Sequence, residues 1–245
     1  GPNSFTSNQE NISNLQPGEY TLTINDAGGC PYENTFTILE PQELVLQSID
    51  QYNHITCFGD NDGAIAVTIV GGTLGYTYNW TKDSFFFSNL EDIDSLEPGI
   101  YQLTVTDANM CTLVLDPMEI EEPELLTVQL ENQTNVECFG DNTGAISILV
   151  QGGRTDYSFA WTGPDGFTAT TQNITSLYAG VYTVVVTDSS GCTETLAVTI
   201  SQNDEITIQY TATEIRCDGD NDASIIIDNI SGGISPYEIA WSNFG

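Results

Sequence analysis

Basic residues are almost missing from this 245-residue sequence: Lys82, Arg154 and Arg216 stand against 35 Asp and Glu, for a formal charge of −32. The scarcity excludes nucleic acid as a partner, because nothing could neutralise phosphates. It also sets the chain against anionic membrane surfaces, and it means that ion pairs cannot hold the fold together. His54 is the only imidazole. No nucleophile elbow, His-Glu-x-x-His or phosphate loop occurs, so the chain is not expected to be an enzyme. Long apolar runs are missing as well: none approaches the roughly 18–20 residues of a membrane span. Gly1 to Asn11 is polar, without the basic start and apolar stretch of a signal peptide. Cys-x-x-Cys pairs and Cys/His clusters are absent, which argues against zinc.

What is present suffices for a core: apolar residues make up 40% and aromatics 10%, so disorder is not expected despite the charge. Six cysteines fit disulfides in an oxidising, extracellular setting.

The chain repeats itself every 81 residues. Cys57-Phe-Gly-Asp-Asn-Asp-Gly-Ala-Ile65 returns as Cys138-Phe-Gly-Asp-Asn-Thr-Gly-Ala-Ile146 and as Cys217-Asp-Gly-Asp-Asn-Asp-Ala-Ser-Ile225. Gly71-Gly72…Trp80 matches Gly152-Gly153…Trp161 and Gly232-Gly233…Trp241. Leu96-Glu-Pro-Gly-Ile-Tyr101…Asp107…Cys111 matches Leu177…Tyr182…Asp188…Cys192, and the same block opens the chain as Leu15…Tyr20…Asp26…Cys30. Residues 1–42 are thus the C-terminal half of a repeat, 43–124 and 125–204 are complete repeats, and 205–245 is an N-terminal half. Gly1-Pro-Asn-Ser-Phe5 aligns with Gly163-Pro-Asp-Gly-Phe167, so it reads as native sequence. Either the chain is part of a longer array, or the half-repeats complete each other between molecules.

Each repeat is expected to be an immunoglobulin-like β-sandwich in an all-β chain, the tandem forming an extended rod. Ala64-Ile-Ala-Val-Thr-Ile-Val70 and Tyr101-Gln-Leu-Thr-Val-Thr106 alternate apolar and polar residues between Gly, Asn, Asp and Pro punctuation. Strands are placed at 44–56 (A), 64–70 (B), 76–81 (C), 90–95 (E), 100–106 (F) and 111–120 (G), with D unmarked. Trp80 and Trp161 are assigned to the core and Tyr101 to a tyrosine corner before strand F. Phe85-Phe86-Phe87 has no full counterpart in the next repeat, with Phe86 aligned to Phe5 and Phe167.

The pattern Cys-x-Gly-Asp-x-x-Gly-x-Ile, Gly-Gly…Tyr-x-Trp, Leu-x-Pro-Gly-x-Tyr-x-x-x-Val-x-Asp-x-x-x-Cys and Ile-x-Glu-Pro resembles the SprB-type repeat. That family occurs in very large surface proteins of Bacteroidota. The resemblance covers essentially the whole chain. It implies type IX secretion, tandem arrays at the cell surface, and roles in adhesion and gliding motility. Met110 stands where the pattern has Gly, Asp218 where it has Phe, and Ala223 where it has Gly.

Cysteine pairing has two readings. One bridge per repeat gives Cys57–Cys111 and Cys138–Cys192. In the sandwich, however, Cys57 ends strand A and Cys111 begins strand G, at opposite ends and roughly 20 Å apart, whereas a disulfide needs Cα atoms about 4.4–6.8 Å apart. Head-to-tail repeats would instead bring Cys57 to Cys192. In such a junction Asp60, Asp62, Glu121, Glu122 and Asp188 would converge, a set of hard oxygen ligands suited to calcium. The same acids also read as Asx turns and turn caps. No other cofactor is indicated.

Asn11, Asn79, Asn132, Asn173 and Asn229 begin Asn-x-Ser/Thr triplets, which chance explains in an Asn/Thr-rich chain, and Asp94-Ser95-Leu96 resembles a Bacteroidota O-glycosylation motif. The expected function is a structural stalk or filament segment of an extracellular cell-surface adhesin, partnered by further copies of the same repeat. The alternative is a module that binds surface polysaccharide or another cell.

Overall fold

The computed structural model describes residues 1–242. The chain divides into two compact units, Gly1–His54 with Asn61–Glu121, and Ile55–Asp60 with the chain from Glu122 onward.

The first unit opens with a single 3-10 turn at Pro2–Ser4 and an antiparallel hairpin, β1 (Gly18–Asn25) with β2 (Pro31–Ile38). A complete repeat follows: β3 (Val45–Asn53), β4 (Gly63–Val70), β5 (Thr77–Lys82), β6 (Phe85–Ser88), β7 (Ile93–Leu96), β8 (Gly99–Thr106), β9 (Thr112–Val114) and β10 (Met118–Ile120). One sheet has the order β3-β4-β7; the other runs β10-β8-β5-β6, with β9 also on β8. In immunoglobulin lettering these are A-B-E and G-F-C, so the expected strands A, B, C, E, F and G are all present. The strand after C does not cross to the A-B-E sheet. Asp83 and Ser84 take φ of 50° and 73°, making a tight hairpin that keeps β6 paired to β5. Strand G is split into β9 and β10 around Pro117, which lacks the N–H that a continuous ladder needs.

Alternation places the core. Ile65, Val67 and Ile69 of β4 and Tyr101, Leu103 and Val105 of β8 are buried, with Trp80 of β5 fully buried between them. The Trp80 indole N–H donates to the Glu91 carbonyl at 3.1 Å, so its one polar atom is satisfied.

The second unit repeats this plan with β11 (Thr127–Thr134), β12 (Gly144–Gln151), β13 (Ser158–Thr162), β14 (Thr168–Ala169), β15 (Ile174–Leu177), β16 (Gly180–Thr187) and β17 (Thr193–Ile200). Its sheets are β11-β12-β15 and β14-β13-β16-β17. Ile146, Ile148, Trp161, Tyr182, Val184 and Val186 form the equivalent core. A last hairpin, β18 (Thr207–Thr213) with β19 (Ser224–Ser231), carries strands A and B of the next copy.

The shared motifs have local causes. Gly71, Gly152 and Gly232 take φ of 82°, 73° and 80°, and an added Cβ would run into the carbonyl of Glu43, Leu125 or Glu205. Tyr76, Tyr157 and Tyr237 donate their hydroxyls to the carbonyls of those same three glycines. The tyrosine corner recurs: the hydroxyl of Tyr101 donates to Glu97 O at 2.9 Å, Tyr182 to Tyr178 O at 3.0 Å, and Tyr20 to Gln16 O at 2.8 Å. One alignment is corrected. Phe87, not Phe86, stacks edge-on against Tyr101 at 5.2 Å, as Phe167 does on Tyr182 and Phe5 on Tyr20. The Asp83-Ser84 hairpin shifts the count by one residue.

Candidate functional site: two cysteine turns and a disulfide

Every copy presents its cysteines in two repeated turns. In the first, the N–H of Asp60 donates to Cys57 O at 3.0 Å, that of Asp141 to Cys138 O at 3.1 Å, and that of Asp220 to Cys217 O at 3.0 Å. Gly59, Gly140 and Gly219 hold φ of 84°, 78° and 88°, which is why the motif has Gly two residues after Cys. A side chain from the inter-repeat linker secures the turn: Gly59 N–H donates to Glu122 Oε1 at 2.7 Å, and Gly140 N–H to Gln202 Oε1 at 3.0 Å.

The second turn is built around the aspartate that follows strand F. Asp188 is buried, and its carboxylate accepts N–H groups from Arg154 at 2.8 Å and from Ser190 and Cys192 at 2.9 Å each. Asp107 does the same for Thr73, Asn109 and Cys111. Burial pushes the Asp188 carboxyl up, but the N–H donors of Arg154, Cys192, Ser190 and Gly191 outweigh it and leave it below its ordinary value. At Asp107 the Thr73 N–H leads, with Cys111 and Asn109, in lowering the carboxyl against its desolvation. Asp26 makes the same turn in the opening half-repeat, accepting from Gly28 at 2.8 Å and from Cys30 at 2.9 Å.

The two turn types meet in the second unit. Cys57 and Cys192 are joined by a disulfide with Cα atoms 5.7 Å apart, across 135 positions of sequence. Cys57 belongs to the repeat at 43–124 and Cys192 to the next. The segment Ile55–Asp60 is flanked in sequence by residues of the first unit, yet it packs with the second. Ile55 is fully buried there, and Arg154 Nη2 reaches its carbonyl at 3.5 Å. The within-repeat pairs Cys57–Cys111 and Cys138–Cys192 are therefore not those of this structure: Cys111 and Cys138 are free and exposed, as are Cys30 and Cys217.

The five acids read as a calcium junction are placed as follows. The Asp60 backbone closes the Cys57 turn, Glu122 holds Gly59 N–H, and Asp188 caps its own turn. Glu121 donates its N–H to His54 Nδ1 at 3.0 Å, and Asp62 precedes β4. Among the described residues no group of three or more His, Cys, Asp or Glu side chains is placed to hold a metal ion. At the Glu122 position the neutral Gln202 makes the same hydrogen bond in the following copy, so the contact does not need a charge.

Sequence reasoning missed the linker contact of Glu122 and Gln202, and it missed a role for Asn173. The Asn173 side-chain carbonyl accepts the Ile148 N–H at 3.1 Å, as Asp92 accepts from Val67 at 3.0 Å. That shared role explains an Asn or Asp here without a glycan. The signal was available in the aligned Asp92/Asn173 pair. Phe85 and Phe86 are 78% and 69% exposed, consecutive on β6 at a sheet edge and therefore directed to opposite faces. No helix among the described residues is long and apolar enough to cross a membrane.

Comparison with known proteins gives a consistent family result. The SprB repeat family model matches at residues 53–85, 130–166 and 209–245, the first half of each copy. No curated protein matches the chain. Solved structures that match include an amphioxus IgVJ-C2 molecule, 15% identical, covering 66% of this chain and 98% of that one with a TM-score of 0.27.

Proposed function

We propose, for a chain that is a SprB-type repeat protein, that it serves as a structural stalk segment of a large extracellular adhesin and holds an adhesive region away from the cell surface. SprB repeats suggest a surface adhesin-type repeat region, and such repeats and immunoglobulin-like sandwiches are typically non-enzymatic structural modules. The observation that carries the finer reading is the Cys57–Cys192 bond, which ties one repeat covalently to the next. A stalk must transmit tension, and a bond that spans 135 positions, more than one 81-residue period, shields the residues between its ends from extension. On the family resemblance alone, the proposal extends to roles in adhesion and gliding motility and to secretion through the type IX route.

Force spectroscopy tests it. In the oxidised chain the 135 positions between Cys57 and Cys192 should not extend. Reduction should release roughly 450 Å of additional contour at about 3.3–3.6 Å per residue. Equal contour lengths before and after reduction would sink the proposal.

A second reading is favoured by Phe85 and Phe86, whose exposed rings at a sheet edge suit stacking against sugar faces. A glycan array probed with the chain and with a Phe85→Ser/Phe86→Ser variant separates the two. Glycan binding lost in the variant would make this a carbohydrate- or cell-surface-binding module instead.

A further inference from the structure

After Lys82 the sequence has two basic residues, Arg154 and Arg216. Arg216 pairs with Asp222 at 3.4 Å. Arg154 follows Gly152-Gly153 in the loop after β12. Its backbone N–H caps Asp188 at 2.8 Å, just as the Thr73 N–H caps Asp107 at 2.9 Å in the first complete repeat. The two side chains part ways from there. The Thr73 hydroxyl accepts the Asn109 side-chain amide at 2.8 Å, so that loop closes on its own turn. Ser190 stands at the Asn109 position and carries no such amide. The Arg154 guanidinium reaches instead to the segment that presents Cys57, where Nη2 donates to the Ile55 carbonyl at 3.5 Å. The next carbonyl along, that of Thr56, lies 3.5 Å from Cys192 Sγ. The guanidinium and the Cys192 sulfur therefore rest on consecutive peptide groups.

From this reach we infer that Arg154 is the positioning residue that selects Cys57 of the preceding repeat, rather than Cys138 of its own repeat, as the partner of Cys192. The reason is charge and direction together. The two turns bring acids to the bond, Asp60 and Glu122 with the first and Asp188 with the second. Like charges oppose their approach, in a chain of net charge −32. A guanidinium that donates to a carbonyl of the incoming segment offsets part of that repulsion and fixes where the segment lies. Ile55 is fully buried and adds apolar contact, but apolar burial is non-directional and does not set register. A short Thr hydroxyl engaged with Asn109 cannot make the same reach.

The step it directs is thiol–disulfide exchange. One thiolate attacks a small-molecule disulfide, giving a mixed disulfide and one released thiol. The second thiolate attacks the mixed disulfide and releases the other thiol. In sum the two cysteines lose two protons and two electrons, and the small-molecule disulfide takes them up as two thiols. The second attack is intramolecular, so its rate and equilibrium follow the effective concentration of Cys57 at Cys192. Arg154 acts on that concentration by holding Ile55 and Thr56 in place.

This inference rests on the covalent tie of the stalk reading, and the test separates the two. The full chain is equilibrated with glutathione and glutathione disulfide, thiols are blocked, and linked peptides are quantified. The parent is compared with Arg154→Ala, with Arg154→Lys, and with the double variant Arg154→Thr/Ser190→Asn, which rebuilds the self-closing loop of the first complete repeat. The equilibrium constant for Cys57–Cys192 should fall about fivefold or more in Arg154→Ala and in the double variant, with Cys192 found instead on Cys138 or on glutathione. Arg154→Lys keeps a charged donor and should regain part of the loss. The Cys192 N–H, which donates to Asp188, should stay protected from hydrogen exchange throughout, because the backbone N–H of residue 154 caps Asp188 in every variant. Unchanged constants in both variants would overturn the inference and leave the stalk reading standing. A loss that Lys does not relieve, or that comes with exposure of the Cys192 N–H, would assign the effect to the turn itself and also overturn it. A parent in which Cys192 pairs with Cys138 would overturn both.

Discussion

Cys57 is bonded to Cys192, the first-turn cysteine of one copy to the second-turn cysteine of the next. The bond closes a loop of 135 positions, so its main effect is to restrict the unfolded chain. Replacing Cys192 by Ala should cost about 2–4 kcal/mol, read as a lower denaturant midpoint for the second unit. Reduction of the unmodified protein should match it. No change in midpoint would mean that the bond adds nothing to stability.

Asp188 holds its turn through charge. Its folded carboxyl lies below the ordinary 3.8, so its contribution is complete above that value and is lost as pH falls through the lowered folded one. Asp188→Asn should destabilise by about 1–3 kcal/mol at neutral pH, because the amide cannot accept the Arg154 N–H at its nitrogen. The gap between variant and parent should close as pH falls below 3.8. Acid also reduces the overall charge of −32, but that acts on both proteins alike. A gap that stays constant with pH would contradict the charged-cap role.

Met110 sits at φ 66° where the equivalent turns have Gly29 and Gly191 at 83° and 90°. A side chain in the left-handed region costs roughly 1–2 kcal/mol, partly offset by the lower unfolded-state entropy of a non-glycine residue. Met110→Gly should therefore stabilise the first unit by about 0.5–1 kcal/mol. A lower melting temperature would show that the exposed Met side chain makes a contact worth more than the strain.

The carboxylates of Glu122 and Asp188 have turn-building work that needs no ion, and Asp60 closes its turn through the backbone. Calcium should raise the melting temperature no more than magnesium at equal ionic strength. A calcium-specific rise of about 4 °C or more would support the calcium junction that the acid spacing suggests.

Much of this was legible because each signal occurs several times. Alternation in 64–70 and 100–106 located strands B and F within a residue, and the repeated Leu-x-Pro-Gly-x-Tyr block located the corner. The fate of the strand after C was not legible: both complete repeats pair it with C, through the two-residue hairpin at Asp83-Ser84 in the first and a 3-10 turn at Pro164–Gly166 in the second, and a strand this short shows no alternation that marks it. That hairpin also hid the equivalence of Phe87 with Phe167. The roles of the acids were legible only in part: spacing reveals which carboxylates are near a turn, but not that backbone N–H groups already occupy Asp188 or that Gln202 can replace a Glu.

Peptide mapping of the non-reduced chain is the most direct measurement. After proteolysis with thiols blocked, one linked pair should contain Cys57 and Cys192 and disappear on reduction. Linked pairs of Cys57 with Cys111 and of Cys138 with Cys192 would confine each bridge to one repeat and contradict the covalent tie between copies on which the stalk reading stands.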